Sequence, residues 1–184
     1  MTFSKYVIDT NVLLVASAAH ETSPFAEDAT PVEDSALRKK VLDWLISFEI
    51  SEAQIVLDWG WIIVDEYKGV ARRDKLTEQD YGLQVVLQKF STGQLFGFEM
   101  EWNEPGSATI SHPDLSVVVT DHADRKMVAA VLAAGGITGS CSLVNSCDTD
   151  WYDWQEKMES AGVFVQQLIG AEWCHPKWLA KKVR

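Results

Sequence analysis

Short runs of consecutive apolar residues alternate along the chain with stretches in which apolar positions recur every three or four residues. The runs over 5–8, 54–57, 95–98, 115–119, 142–146 and 163–168 have the length and β-branched or aromatic content of buried strands. Between them, 10–19, 36–48, about 60–73, 77–90, 124–134 and 149–161 read as helices. Leu37, Val41, Trp44, Leu45 and Phe48 share one helical face, as do Leu83, Val86, Leu87 and Phe90. Boundary chemistry supports these bounds: Asp34-Ser35 and Thr77-Glu78-Gln79-Asp80 suit helix starts, and Gly135-Gly136 and Gly162 suit helix ends. Strands alternating with helices require right-handed crossovers, which predicts an α/β three-layer sandwich around a mostly parallel central sheet. Two stretches interrupt the alternation. The polar loop 20–33 is one, and the other is the excursion 99–114, which contains Pro105-Gly106 and His112-Pro113 and is where function or a partner contact is expected. The division expected is one domain over 1–169 and a tail, 170–184, carrying Trp173, Trp178, Lys177, Lys181, Lys182 and Arg184.

A length of 184 residues suits a single domain, and 47% hydrophobic against 23% charged residues suffices for a sizeable core. The formal net charge of −11 argues against a simple basic nucleic-acid clamp. Cys141, Cys147 and Cys174 are an odd set without Cys-x-x-Cys spacing, so a reducing compartment is expected and a zinc ribbon is not. The start of the chain lacks the pattern of a signal peptide and no window is apolar enough for a membrane span, which predicts a cytoplasmic protein with no membrane partner.

In parallel α/β sheets ligands bind beyond the carboxyl ends of the strands. The polar residues at those ends are acids: Asp9 after the first strand, Glu66 on the helix after the second, Asp124 at the start of its helix, and Asp148 and Asp150 after the strand over 142–146. Converging carboxylates repel one another unless divalent cations compensate them, and an all-oxygen site suits Mg²⁺ or Mn²⁺. Each acid also has an ordinary role open to it: Asp9 as a helix cap, Glu66 as a solvated helix residue, Asp124 as a helix-start acid, Asp150 as the cap of the helix that follows.

Four segments carry a resemblance. Val7-Ile8-Asp9-Thr10-Asn11-Val12-Leu13-Leu14 resembles the opening signature of the PIN-domain nucleases. Ile62-Ile63-Val64-Asp65-Glu66-Tyr67, behind Val56-Leu57-Asp58, resembles the second block of that family, and Asp121-His122-Ala123-Asp124-Arg125-Lys126-Met127 the third. Leu143-Val144-Asn145-Ser146-Cys147-Asp148-Thr149-Asp150-Trp151 resembles the fourth. The likeness covers about residues 5–168; the loop 20–33, the excursion and the tail depart from the smallest members. It implies a PIN-like fold and a Mg²⁺- or Mn²⁺-dependent endoribonuclease with Asp9, Glu66, Asp124 and Asp148 as its catalytic, metal-binding acids and Asp150 as a fifth ligand. A metal-activated water as attacking group implies 5′-phosphate and 3′-hydroxyl ends and needs no 2′-hydroxyl, so DNA is chemically allowed. Thr10, Asn11 and Ser146 are expected to support the acids by hydrogen bonds, and Arg125 and Lys126 to meet the substrate phosphate. Family analogy alone suggests a toxin or defence effector with an inhibitory or complex-forming protein partner, and leaves a homo-oligomer open.

Other chemistries have little support. The four histidines are scattered, Cys174-His175 has no second metal-binding pair, no phosphate- or dinucleotide-binding glycine motif occurs, and Asp9-Thr10-Asn11 lacks the second aspartate of a dehalogenase-type phosphatase. The rivals retained are a structure-specific DNA nuclease and a non-catalytic PIN-like scaffold module. The basic clusters Arg38-Lys39-Lys40, Lys68 with Arg72, Arg73 and Lys75, and the tail read as solvated faces unless one of them borders the acids.

Overall fold

Val7 and Ile8, both fully buried, belong to strand β1 (Lys5–Ile8), which lies in the middle of a five-stranded sheet. The computed structural model of the chain describes residues 3–22, 30–73 and 80–183. The start expected for the helix over 77–90, residues 23–29 of the loop 20–33, the side chains of Arg72 and Arg73, and Lys75 and Arg184 lie outside the described residues.

The remaining strands of the sheet are β2 (Gln54–Asp58), β3 (Leu95–Phe98), β6 (Cys141–Asn145) and β7 (Phe164–Gln167), in the order β3-β2-β1-β6-β7. All four pairings are parallel, with Lys5 opposite Gln54 and Ile8 opposite Val144. The expected α/β sandwich is therefore present. Helix α1 (Thr10–Ser17) packs on α2 (Ser35–Glu49) and α4 (Tyr81–Ser91), while α6 (His122–Ala133) lies against β1, β2 and β6. Gly82 permits the close approach of α1 and α4, because a Cβ there would stand 2.8 Å from the Cβ of Leu13. Two further helices, α3 (Ile62–Arg73) and α7 (Trp151–Ser160), complete the crossovers. Among the described residues no helix is long and apolar enough to cross a membrane.

The chain leaves β1 toward β2 on one side and enters β6 on the other, so the carboxyl ends of β1 and β6 flank the point where the connections diverge. A crevice opens at such a point in parallel sheets. Asp9 immediately follows β1, and its amide donates to the carbonyl of Val144 at 3.0 Å.

One sequence expectation fails between β3 and β6 and another gains detail. The β-branched run over 115–119 is not a strand but lies largely within a helix, α5 (Pro113–Val118). Pro113 at its first turn presets a helical φ, and Leu115 is buried against the core, which together outweigh the strand propensity of three valines. The excursion 99–114 is ordered as well: β4 (Trp102–Glu104) and β5 (Ser107–Ala108) pair antiparallel across Pro105 and Gly106, whose φ of 82° suits glycine.

The tail is built into the body rather than trailing from it. Gly170–Cys174 forms a π-helical turn and His175–Lys182 forms α8. Cys174 is fully buried and donates from Sγ to the carbonyl of Ser146 at 2.7 Å. Trp178 Nε1 donates to Asp153 Oδ1 at 2.8 Å, holding α8 on α7, and Lys40 on α2 pairs with Glu172 at 2.5 Å.

Candidate active site

Asp9 caps α1: its Oδ1 accepts the Asn11 amide at 3.2 Å. The capping role foreseen as the ordinary alternative is real, but it occupies only one of two oxygens. Asp9 Oδ2 accepts the indole N–H of Trp151 at 2.6 Å, from a side chain with no solvent exposure. Burial, then the nearby Asp148 charge, with a smaller contribution from Glu66, push the Asp9 carboxyl up to about 7 against the lowering effect of those hydrogen bonds.

Glu66, half-buried on α3, accepts from Thr10 Oγ1 at 2.6 Å through Oε1 and is paired through Oε2 with Lys126 of α6. Thr10 therefore supports an acid as expected. Asp124 sits in the first turn of α6 but does not cap it; that place belongs to Asp121, whose carboxylate accepts the Ala123 amide at 2.7 Å. Desolvation first, then Asp9, Asp148 and Asp121, raise the Asp124 carboxyl to about 8, against the lowering influence of Lys126.

The loop after β6 is held by two asparagines. Asn11 Oδ1 accepts three hydrogen bonds, from the Ser146 amide at 2.9 Å, Ser146 Oγ at 2.6 Å and the Cys147 amide at 3.2 Å. Asn11 and Ser146 thus act on the loop that carries Asp148 rather than on a carboxylate. Asn145 donates from Nδ2 to the Asp148 carbonyl at 2.7 Å and accepts the Asp148 amide at 3.1 Å. Asp148 Oδ1 accepts the Asp150 amide at 2.8 Å, and burial raises its pKa, with Asp150 and Asp121 adding to the rise. Asp150 stands at the N-cap position of α7 without a side-chain capping bond and pairs instead with Lys181 of α8 at 3.0 Å.

Asp9, Asp124 and Asp148 lie within electrostatic reach of one another, and Glu66 within reach of Asp9. Each carboxylate oxygen that accepts one hydrogen bond still has a second lone pair. Among the described residues no three His, Cys, Asp or Glu side chains are gathered closely enough to enclose an ion. The Lys126 ammonium on Glu66 gives a local reason, since it compensates one acid of the four.

Of the two cations expected at the substrate, Arg125 is engaged elsewhere. It is buried, with Nε donating to the Ala108 carbonyl at 3.0 Å and Nη1 to those of Ser116 and Val119 at 2.9 and 3.0 Å, so it fastens β5 and α5 to α6. Lys126 reaches Glu66 and the Ala123 carbonyl. Further cations border the acids from the tail. A cavity of about 720 Å³ is lined by Asp9, Thr10, Asn11 and Asp148 together with Trp173, Lys177 and Lys181.

Sequence reasoning missed Trp151, Asn145 and Tyr67 as supports; the Tyr67 hydroxyl donates to the Ile8 carbonyl at 2.6 Å beneath Asp9. A signal existed for Asn145, a polar residue closing an apolar strand run, and for Trp151, the first helical residue after two spaced aspartates. Comparison of the chain with protein-family models, with curated proteins and with solved structures finds no match.

Proposed function

We propose that the chain is a PIN-like, metal-dependent endoribonuclease that hydrolyses phosphodiester bonds of single-stranded or structured RNA and leaves 5′-phosphate and 3′-hydroxyl ends. The observation that carries this reading is that Asp9, Asp124 and Asp148 lie within electrostatic reach of one another, with Glu66 in reach of Asp9, near the ends of β1 and β6 where the sheet connections diverge. Carboxyls held at about 7 and 8 by burial and by one another are groups that a divalent cation would relieve, and their oxygens are the hard donors that Mg²⁺ and Mn²⁺ take. Asp9, Asp124 and Asp148 are the residues that would hold such an ion if their side chains drew together, with Glu66 adjoining Asp9, and the ion would supply Lewis acidity toward water and the phosphate.

The protein's own contribution is positioning. Trp151 and the α1 amide of Asn11 fix the two oxygens of Asp9, Thr10 orients Glu66, and Asn11 with Asn145 sets the loop that presents Asp148. Carboxylates fixed in this way leave less reorganisation for the moment of reaction.

The test incubates the purified protein with labelled single-stranded RNA and a matched DNA strand in Mg²⁺ or Mn²⁺, with and without chelator, beside Asp9→Asn and Asp124→Asn. Cleavage of RNA that chelator and both substitutions abolish is the expected result. Cleavage that survives them overturns the reading, and preferential cutting of DNA moves the substrate to that rival. A non-catalytic module of the same fold is favoured by one observation, the Lys126–Glu66 pair, and would be supported by no cleavage together with no metal binding in calorimetry.

A further inference from the structure

The C-terminal helix supplies what α6 does not. With Arg125 fixed on backbone carbonyls and Lys126 on Glu66, the cations that line a cavity with Asp9 and Asp148, among the described residues, are Lys177 and Lys181. They stand four residues apart on α8, one turn above the other on one face. Trp173, four residues earlier in the π-helical turn, lines the same cavity and continues the stripe.

Both ammonium groups can take a new partner at little cost. Lys177 is exposed, has no carboxylate partner among the described residues, and holds its Nζ 5.5 Å from the centre of the Trp173 ring. Lys181 is paired with Asp150, but the two side chains are 62% and 45% exposed, so water screens the pair and exchange for a phosphate is nearly neutral. The backbone that presents them is fixed by buried Cys174 on Ser146, by Trp178 and Lys182 on Asp153, and by Lys40 on Glu172. This is a wall of the site, not a loose appendage.

A chain of formal charge −11 repels polyanions overall, so binding one needs a local cationic surface. A fixed stripe of two lysines and a tryptophan lining a cavity of about 720 Å³ offsets the charge of Asp9 and Asp148 there and adds a stacking surface. Cations that track a backbone beside an aromatic face are the chemistry of single-strand recognition.

We propose that Trp173, Lys177 and Lys181 form the strand-binding wall of the site, the two lysines holding phosphates on either side of the position that Asp9 and Asp148 face. The wall rests on the nuclease reading for its purpose, though its binding is measurable without cleavage.

The experiment follows fluorescence anisotropy of an end-labelled single-stranded RNA with Ca²⁺ and with chelator over a series of salt concentrations. It compares the full chain, the double variant Lys177→Glu/Lys181→Glu, and a charge-matched control, Lys39→Glu/Lys157→Glu, changed at exposed positions that do not line this cavity. Circular dichroism confirms that both variants are folded. Affinity should fall at least tenfold in the wall variant and no more than about twofold in the control. Loss of two phosphate contacts should also make the slope of log K against log salt shallower by about 1.4, at about 0.7 per contact for a single strand. Equal weakening in both variants, an unchanged slope, or no binding by the unmodified chain overturns the wall. Cleavage read in Mn²⁺ on the same proteins separates the two ideas. RNA bound through the wall but never cut removes the nuclease reading alone, whereas cutting at equal KM in the wall variant removes the wall alone.

Discussion

Trp151 donates its indole N–H to Asp9 at 2.6 Å from a position with no solvent exposure, so the first residue of α7 fixes the acid that follows β1, 142 positions earlier. This hydrogen bond favours the ionised carboxylate and offsets part of the rise that burial imposes. Trp151→Phe keeps an aromatic ring and removes the donor. We expect a loss of about 2–4 kcal/mol in urea unfolding, from the lost charge-assisted bond and the smaller ring. Because the Asp9 carboxyl would rise above about 7, the acid limb of any metal-dependent cleavage should move to higher pH. A stability loss with an unmoved acid limb would show that Trp151 packs but does not tune.

Asn11 joins α1 to the β6 loop through a single oxygen. Asn11→Ala leaves the Ser146 amide and hydroxyl and the Cys147 amide without that acceptor, where Ser146 is fully buried. At about 1–3 kcal/mol for a buried unsatisfied group, and with relaxation sparing some of them, the expected cost is about 2–4 kcal/mol. Cleavage should fall further than stability predicts, because the loop carries Asp148. Equal rates per folded molecule in the variant and the unmodified protein would remove Asn11 from the positioning role.

The order of elements was legible because each buried strand leaves an apolar run and each helix a period, as in 54–57 and in the face from Leu37 to Phe48. The acids were legible as residues next to strand ends, and Asp9, Asp124 and Asp148 lie within electrostatic reach of one another, with Glu66 in reach of Asp9. What could not be read were contacts between residues distant in sequence. Nothing local in Arg125 distinguishes a phosphate ligand from a guanidinium that three carbonyls enclose; that depends on how 107–119 folds over α6. The 115–119 run failed for a related reason, since periodicity over five residues cannot separate a strand from a short helix that Pro113 starts. How the tail packs could not be read either, because it depends on Ser146 and Asp153, residues it meets only after folding.

Arg125→Met provides a test between fastening and substrate contact. It preserves the aliphatic stem and leaves the carbonyls of Ala108, Ser116 and Val119 without their donors, so a loss of about 3–5 kcal/mol is expected. RNA affinity, measured at a temperature where the variant is still folded, should stay within about twofold. A large loss of affinity with little loss of stability would return Arg125 to the substrate.

Burial and mutual repulsion at Asp9 and Asp124 also make stability depend on pH in a known direction. The ordinary aspartate value is 3.8, whereas these carboxyls are held at about 7 and about 8 in the folded chain. Between pH 4 and pH 8 the folded state therefore keeps protons that the unfolded state has released, and the contribution of these groups to stability falls as pH rises through that window, then levels off. A divalent cation bound by the ionised acids acts against this trend and competes with the same protons. Mn²⁺ at about a hundred times its dissociation constant should raise the midpoint of thermal unfolding by about 5–10 °C at pH 8, where the acids are mostly ionised. At pH 5 the same concentration should have little effect. Asp124→Asn should flatten the metal-free pH dependence and reduce the gain at pH 8. Equal metal stabilisation at both pH values, or a gain that Asp124→Asn leaves intact, would place the bound ion away from these carboxylates.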